Sequence, residues 1–325
     1  MTMSTTPILV TGAAGVVGSH TVRQLRERGA AVVAADILPG PGPLLDGLDG
    51  LEYRRIDIQD LAQVLDVLRD VRSERVVHLA ALVGDWYNRH PLANHTVNVG
   101  GFLNVLEACR LSGVRRLVFA STWSLYPEFH GTQHGHPDYV PVPEDTPPLP
   151  VRPYEIGKYS CERMAAWFNH VYGLEFAALR FGGYYAAERR FHKEPRGAGP
   201  LTDMLMAAAF RRPFHLETGG DQGFDAVHVK DCAHGCVCAA LATATPGGIY
   251  NVGTGQAATL RRAAEILREL APESKIEVGP GLLSVKHYCR LDVGRARREL
   301  AYSPRFPLRE GLADCLAEIR RVAVA

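Results

Sequence analysis

Short apolar runs alternate with amphipathic stretches through the first 181 residues of the chain. Residues 7–10 and 31–35 have the length and apolar character of strands buried in a parallel sheet, and 51–56, 75–79, 114–120 and 174–181 read as further strands. Helical patterns fill the gaps. One follows Gly18 through Val22 and Leu25 to Gly29, one runs from an Asp60 cap to Asp70, and one covers 92–111. Another starts at Tyr154, passes through Ala165, Phe168 and Val171, and stops at Gly173. Regular alternation of this kind predicts an α/β fold, a doubly wound parallel sheet of the Rossmann type. Beyond residue 181 the alternation loosens. Helices are expected over 201–210 and 260–270 and after a short strand at 226–229, with a further strand at 248–253. Residues 1–181 therefore read as the main domain, and 182–325 as a smaller α/β substrate-binding lobe with some chain returning to the first.

The turn after the first strand is Thr11-Gly12-Ala13-Ala14-Gly15-Val16-Val17-Gly18. Glycines placed this way allow a tight turn, close approach of backbone to a pyrophosphate, and close packing of helix on strand. The helix N-terminus then offers free N–H groups and a positive dipole end to the phosphates. The second strand ends on Asp36, near the offset at which a carboxylate accepts ribose hydroxyls. A carboxylate there repels a 2′-phosphate, and no arginine follows at Ile37 or Leu38, so the cofactor is read as NAD rather than NADP. The glycine spacing departs from the commoner G-x-G-x-x-G; its position between two strands gives it weight. Small residues at Leu79-Ala80-Ala81 would let the end of the fourth strand approach a flat cofactor.

A second constellation is Tyr154-Glu155-Ile156-Gly157-Lys158. Four residues apart on a helix, the phenol and the ammonium share one face. The ammonium is expected to favour the phenolate and lower the tyrosine pKa toward useful values. The ordinary alternative is a packed tyrosine beside a solvated lysine. Ser121-Thr122-Trp123-Ser124 follows the fifth strand, and ligands of open parallel sheets sit outside carboxyl strand ends. A hydroxyl there could bind a reacting substrate oxygen, although Ser and Thr also cap turns.

Composition narrows the class without naming it. The 325 residues are 46% hydrophobic and 22% charged, with a net charge of +1, which gives no footprint for nucleic acid or a membrane surface. No apolar leader or membrane-length run is seen, so a cytoplasmic location is expected. Cys232, Cys236, Cys238 and His234 match no usual zinc spacing and are read as helix packing, so no metal is expected. His130, His134 and His136 lie in a Pro- and Gly-rich segment, 127–153, whose expected role is near substrate.

Taken together, these motifs resemble the extended short-chain dehydrogenase/reductases, the family of NAD-dependent sugar-nucleotide epimerases and dehydratases. The ordered matches are Gly12, Gly15 and Gly18, then Asp36, Asp57-Ile58, His78-Leu79-Ala80-Ala81 and Asn98-Val99-Gly100-Gly101. Ser121-Thr122, Tyr154 with Lys158, Leu179-Arg180-Phe181, Val227-His228-Val229-Lys230-Asp231 and Asn251-Val252-Gly253 continue the series. The resemblance implies Tyr154 as general acid or base and Lys158 holding the nicotinamide ribose, with Thr122 binding the reacting hydroxyl. Asp57 would meet the adenine amine, and Asn98 would lie near the nicotinamide. It also implies a homodimer formed through the helices at 92–111 and 154–172.

Departures from the family pattern are equally specific. The family's dehydratases carry a Thr-Asp-Glu run where this chain has Thr122-Trp123-Ser124, which argues against dehydration. Members acting on nucleotide sugars usually carry Asn where Gly182-Gly183 stands, and a phosphate-directed Arg where Phe224 stands. The basic run Arg189, Arg190, Lys193 and Arg196 could substitute for that Arg. Substrate contacts are accordingly expected from Val83, Trp86, Ser124, Gly183, Tyr184, Arg189 and Phe224. The expected activity is a sugar or nucleotide-sugar epimerase. A net dehydrogenase of a free sugar or uronate shares the same site, and a non-catalytic NAD sensor is a third reading.

Overall fold

The computed structural model describes residues 6–84, 88–188, 199–243, 247–283 and 288–323. The main body carries β1 (Ile8–Thr11), α1 (Val16–Glu27), β2 (Val32–Asp36), β3 (Glu52–Arg55), α2 (Leu61–Val71) and β4 (Arg75–His78). It continues with α3 (Pro91–Asn94), a π-helical turn (His95–Gly100), α4 (Gly101–Leu111), β5 (Arg116–Thr122), α5 (Pro153–Tyr172) and β6 (Glu175–Phe181). The second half adds β7 (Gly183–Tyr185), α6 (Pro200–Ala209), β8 (Phe214–Leu216), β9 (Gly223–Phe224) and β10 (Ala226–His228). It ends with α7 (Val229–Leu241), β11 (Gly248–Val252), β12 (Ala258–Thr259), α8 (Leu260–Leu270), β13 (Ile276–Val278), α9 (Gly294–Leu300) and α10 (Leu308–Ala323).

Seven parallel strands form the central sheet in the order β11-β6-β5-β4-β1-β2-β3. Successive residues of each strand enter opposite cores, as the two-residue period of a pleated strand requires. Ile8, Val10, Val77, Val118 and Leu179 meet Val22 and Leu25 of α1 and Cys232, Cys236 and Val237 of α7. Leu9, Val76, Leu117, Phe119 and Ala178 meet α2, α4 and α5 through Leu68, Phe102, Leu106, Ala165 and Phe168. A third core lies in the second lobe, where Leu205, Leu260, Leu267, Leu312 and Leu316 surround Phe224 and Tyr185.

Two sequence expectations need correction. The helix read over 92–111 is interrupted by the π turn, whose widened path lets consecutive Asn98 and Val99 both face inward. Hydrophobic periodicity does not register one inserted residue. The fifth strand also runs on to Thr122, because Ser121 and Thr122 pair in register with Arg180 and Phe181.

The segment after β5 carries short-range turns such as Thr132 N–H to Phe129 O and Gly135 N–H to Thr132 O and little regular structure, yet it is firmly held. Val142 N–H donates to Arg290 O, and Val142 O accepts the Asp292 N–H. Tyr139 Oη accepts the Gly223 N–H at 2.7 Å, and Asn251 N–H donates to the Glu144 carboxylate at 2.9 Å. These bonds make residues 126–144 a strap across both halves.

Beneath the strap lies a buried ion pair. Glu162 accepts Arg180 Nε at 2.9 Å and Nη2 at 2.8 Å, and also the Ser121 hydroxyl at 2.6 Å. The Arg180 guanidinium lies 4.8 Å from the Tyr126 ring centroid, and Tyr126 Oη donates to Asn251 at 2.7 Å. Arg180→Met, which strands the Glu162 carboxylate, is expected to cost about 3–5 kcal/mol in urea unfolding. The double variant Glu162→Gln/Arg180→Met should recover most of that loss. Losses that simply add would show that the two side chains act independently.

Candidate active site

The glycine turn and the ends of β2, β4, β5 and β6 converge on one edge of the sheet. Gly12 has φ +69°, and a Cβ placed there would lie 2.4 Å from Ala80 N. A Cβ on Gly18 would lie 2.0 Å from Gly12 O, so the first helix turn presses directly on the loop. Gly15 caps α1 without a side chain, and the first turn, beginning with Val16 and Val17, carries no acidic residue. The N-terminal N–H groups are therefore left for an anion.

Asp36 is oriented from both sides. Its Oδ2 accepts Ala14 N–H at 3.0 Å and its Oδ1 accepts Leu38 N–H at 3.3 Å. Asp57 accepts the Gln59 N–H at 2.9 Å, while neighbouring Ile58 is buried and fills the space at Gly101. Leu79 N–H donates to Thr11 O, which ties the Leu79-Ala80-Ala81 corner to the loop. Asn98 grips the following residue at both ends: Leu82 N–H donates to its Oδ1 at 2.7 Å and its Nδ2 donates to Leu82 O at 2.8 Å. A dinucleotide fits this cradle, with room for backbone contact only where the glycines stand.

Behind the cradle, His78 Nδ1 lies 2.8 Å from the Thr11 hydroxyl. Burial, with the Lys158 charge adding to it, lowers the His78 pKa to about 3, so this ring is neutral.

The second constellation sits on the start of α5. Pro153 opens the helix, Glu155 accepts the N–H groups of Val151 and Arg152, and Gly173 ends it in a left-handed conformation. Tyr154 N–H donates to Asn88 Oδ1 at 3.2 Å, which fixes the first turn against the segment after β4. Thr122, the last residue of β5, accepts Ser124 N–H and donates to the Ser124 hydroxyl, both at 3.1 Å.

The electrostatics of the tyrosine–lysine pair differ from the sequence expectation. Desolvation pushes the Tyr154 phenol well above its ordinary value, with Tyr184 adding to the shift. Lys158 is buried and its pKa is lowered by that burial, which Cys161 and Glu162 oppose. Its ammonium donates to Ala120 O at 2.8 Å and stands 5.9 Å from the Tyr154 ring centroid. Spacing places both groups on one face, and burial sets the direction of the phenol's shift.

Of the expected substrate contacts, Ser124 meets Thr122, and Tyr184 lies in the field of Tyr154. Gly183 and Phe224 meet each other: a Cβ on Gly183 would lie 3.2 Å from both Phe224 and Trp123. Val83 is half exposed. Trp86 and Arg189, with Arg190, Lys193 and Arg196, lie outside the described residues. The sequence reading missed Glu162, which bonds Ser121 and Arg180, and the packing of Trp123 and Tyr288 with Phe224. Glu162 carried a usable signal, since it stands four residues after Lys158 on the same helix face.

Cys232, Cys236 and Cys238 pack inside α7. Among the described residues, His228, Asp314 and Cys315 bring donor atoms within 4.8 Å of one another. The Asp314 carboxylate there is held by the Lys230 ammonium at 2.6 and 2.8 Å, an ion pair rather than a vacant ligand set.

Residues 8–253 match the model of the NAD dependent epimerase/dehydratase family. The chain belongs to this family. It is 31% identical to a UDP-glucose 4-epimerase of Mycolicibacterium smegmatis over 96% of this chain and 98% of that protein. A UDP-glucose 4-epimerase of Thermus thermophilus, solved with NAD, superposes with a TM-score of 0.79 at 30% identity, covering 97% of this chain and 99% of that one. The Thermotoga maritima UDP-glucose 4-epimerase, solved with UDP-glucose, gives 0.83 at 27% identity, covering 98% and 100%. NAD is accordingly the cofactor, and the protein is an NAD-dependent enzyme of the epimerase group.

Asp36→Ala is expected to weaken NAD binding and to raise relative affinity for NADP, because the anion that repels a 2′-phosphate is gone. Fluorescence titration with both dinucleotides measures this. A preference for NADP in the unmodified protein would contradict the role given to Asp36.

Proposed function

We propose that the chain is a sugar epimerase that inverts a secondary alcohol through a transient ketone. The supporting observations are that Thr122 ends β5, that Lys158 donates to Ala120 O of the same strand, and that the Lys158 ammonium lies 5.9 Å from the Tyr154 ring centroid. Bound NAD supplies the hydride acceptor and later the hydride donor. Every other part falls to the protein. Thr122 and Tyr154 hold the reacting hydroxyl, and Tyr154, as the phenolate that the Lys158 ammonium favours and burial opposes, takes its proton as the C–H bond is broken. Lys158, whose charge Glu162 helps to preserve, provides the positive field under which the phenol can release and regain that proton. Burial favours the protonated phenol, which suits it to return the proton when the ketone, turned to its other face, is reduced.

Release of the ketone would make the same site a dehydrogenase. The replacement of the expected phosphate contacts by Gly183 and Phe224 favours that second reading. Screening nucleotide sugars, free sugars, uronates and polyols while following NADH absorbance separates the two: inversion leaves NADH at trace level, and stoichiometric NADH argues for the dehydrogenase. In either case Tyr154→Phe should lower kcat by about 10²–10⁴-fold. Unchanged turnover would remove Tyr154 from the mechanism and revive the NAD-sensor reading.

A homodimer is part of the proposal. Leu92, Ile156, Trp167 and Val171 stand exposed on α3 and α5, with Trp167 57% exposed. Ile156, Trp167 and Val171 fall on one face of α5, at spacings of three turns and one turn. Such a stripe marks an interaction surface. Sedimentation velocity should give a dimer at micromolar concentration, and Trp167→Glu should shift it toward monomer; a monomeric unmodified protein would contradict this surface. The described residues contain no helix long and apolar enough to cross a membrane. All seven cysteines are free and buried, which suits a reducing compartment, and the cytoplasm is the proposed location.

A further inference from the structure

Helix α1 reaches the second half of the chain through one stripe of its surface. His20, Gln24 and Arg28 follow one another at four-residue spacing, which keeps them on one helix face. His20 Nε2 lies 2.7 Å from Glu188 Oε1, Gln24 Nε2 donates to Lys230 O at 2.8 Å, and Arg28 Nη2 lies 3.5 Å from His234 Nδ1. Traced the other way, the stripe arrives at Val16, the first residue of the helix. At 1.5 Å per residue, His20 stands about 6 Å along the axis from Val16. The contact with Glu188 is therefore made about one turn from the N–H groups that face an anion.

Glu188 is brought there by the second lobe. It follows β7 through Ala186 and Ala187, both buried, and its own side chain is 4% exposed against 12% for His20. A carboxylate taken out of water needs a compensating charge or hydrogen bonds. The Cys315 thiol of α10 lies in its field but supplies no charge, since burial, with Asp314 and Glu188 adding to it, holds the thiol protonated. The Lys230 ammonium is engaged by Asp314. An imidazole can compensate the carboxylate, being the side chain that charges most readily near neutral pH.

The pyrophosphate of a dinucleotide is negative, and the start of α1 is where the glycine cradle receives it. An uncompensated Glu188 would set a second, buried anion beside it, in surroundings that screen charge poorly. We infer that His20 is a cofactor-positioning residue: it neutralises Glu188 and so lets the second lobe rest on the start of α1 without repelling the pyrophosphate of NAD. His20 acts through the Glu188 carboxylate, and neither side chain has to touch the cofactor. The role is the same whether the ketone is reduced in place or released.

NADH binding to the full chain, followed by fluorescence, tests this without any sugar substrate. His20→Ala should raise the Kd at least about tenfold, mostly through faster release when excess NAD displaces NADH in stopped flow. Glu188→Gln alone keeps a hydrogen-bonding group and should change the Kd less than about threefold. The double variant His20→Ala/Glu188→Gln should return the Kd to within about threefold of the unmodified protein, because the stranded charge is gone. A His20→Ala variant that binds NADH as the unmodified protein does overturns the role of His20. A loss that persists in the double variant, with melting temperatures showing both variants folded, assigns the effect to shape rather than charge and also overturns it. If His20→Ala melts below the assay temperature, His20→Gln, which keeps a neutral donor, takes its place in the same comparison.

Discussion

The Glu162–Arg180 ion pair is the constraint on which the site's geometry depends. One carboxylate fastens α5 to β5 through Ser121 and to β6 through Arg180. Ser121 immediately precedes Thr122, and Glu162 lies one turn beyond Lys158. The relative position of the hydroxyl, the phenol and the ammonium is therefore set by groups that touch no substrate. Arg180 continues the connection to the Glu144 backbone at 3.2 Å and lies against the Tyr126 ring. The strap that crosses the second lobe is thereby joined to the same charge. A buried pair of this kind contributes little net stability against a hydrophobic replacement. Its evident effect here is to hold four elements in one register.

Local patterns were legible because their chemistry is local. The glycine turn, Asp36 and the Tyr154–Lys158 spacing each depend on a short stretch of chain whose geometry a helix or strand dictates. The family pattern and the parallel sheet followed from the same short stretches in order. What escaped was contributed from a distance. Trp123, Phe224 and Tyr288 come from three segments with no shared periodicity, and only folding packs them into one cluster. The sign of the Tyr154 shift was missed for a related reason. A lysine four residues away is visible in a sequence, whereas the desolvation that raises the phenol comes from the whole surrounding fold.

The glycine cradle and the surroundings of Gly183 carry different kinds of information. The cradle is too close-packed to admit a side chain at Gly12 or Gly18, as the family's glycine pattern requires. Gly183 and Phe224 stand where nucleotide-sugar members of the family are expected to carry Asn and Arg, and here they pack against each other. A shared fold fixes the first kind of feature and leaves the second free to vary.

The return of β11 to the central sheet has a consequence for how the chain is made. β6 pairs with β5 on one side and with β11, residues 248–252, on the other. During synthesis β6 emerges long before its outer neighbour, and until then its edge offers unpaired backbone groups to any other strand. Helix α7, which covers the sheet opposite α5, is also late. The nucleotide-binding half is thus not a free-standing module that gained a lobe. Its sheet closes only after about three quarters of the chain has been synthesised, and a nascent chain arrested near residue 181 would present an open, aggregation-prone edge.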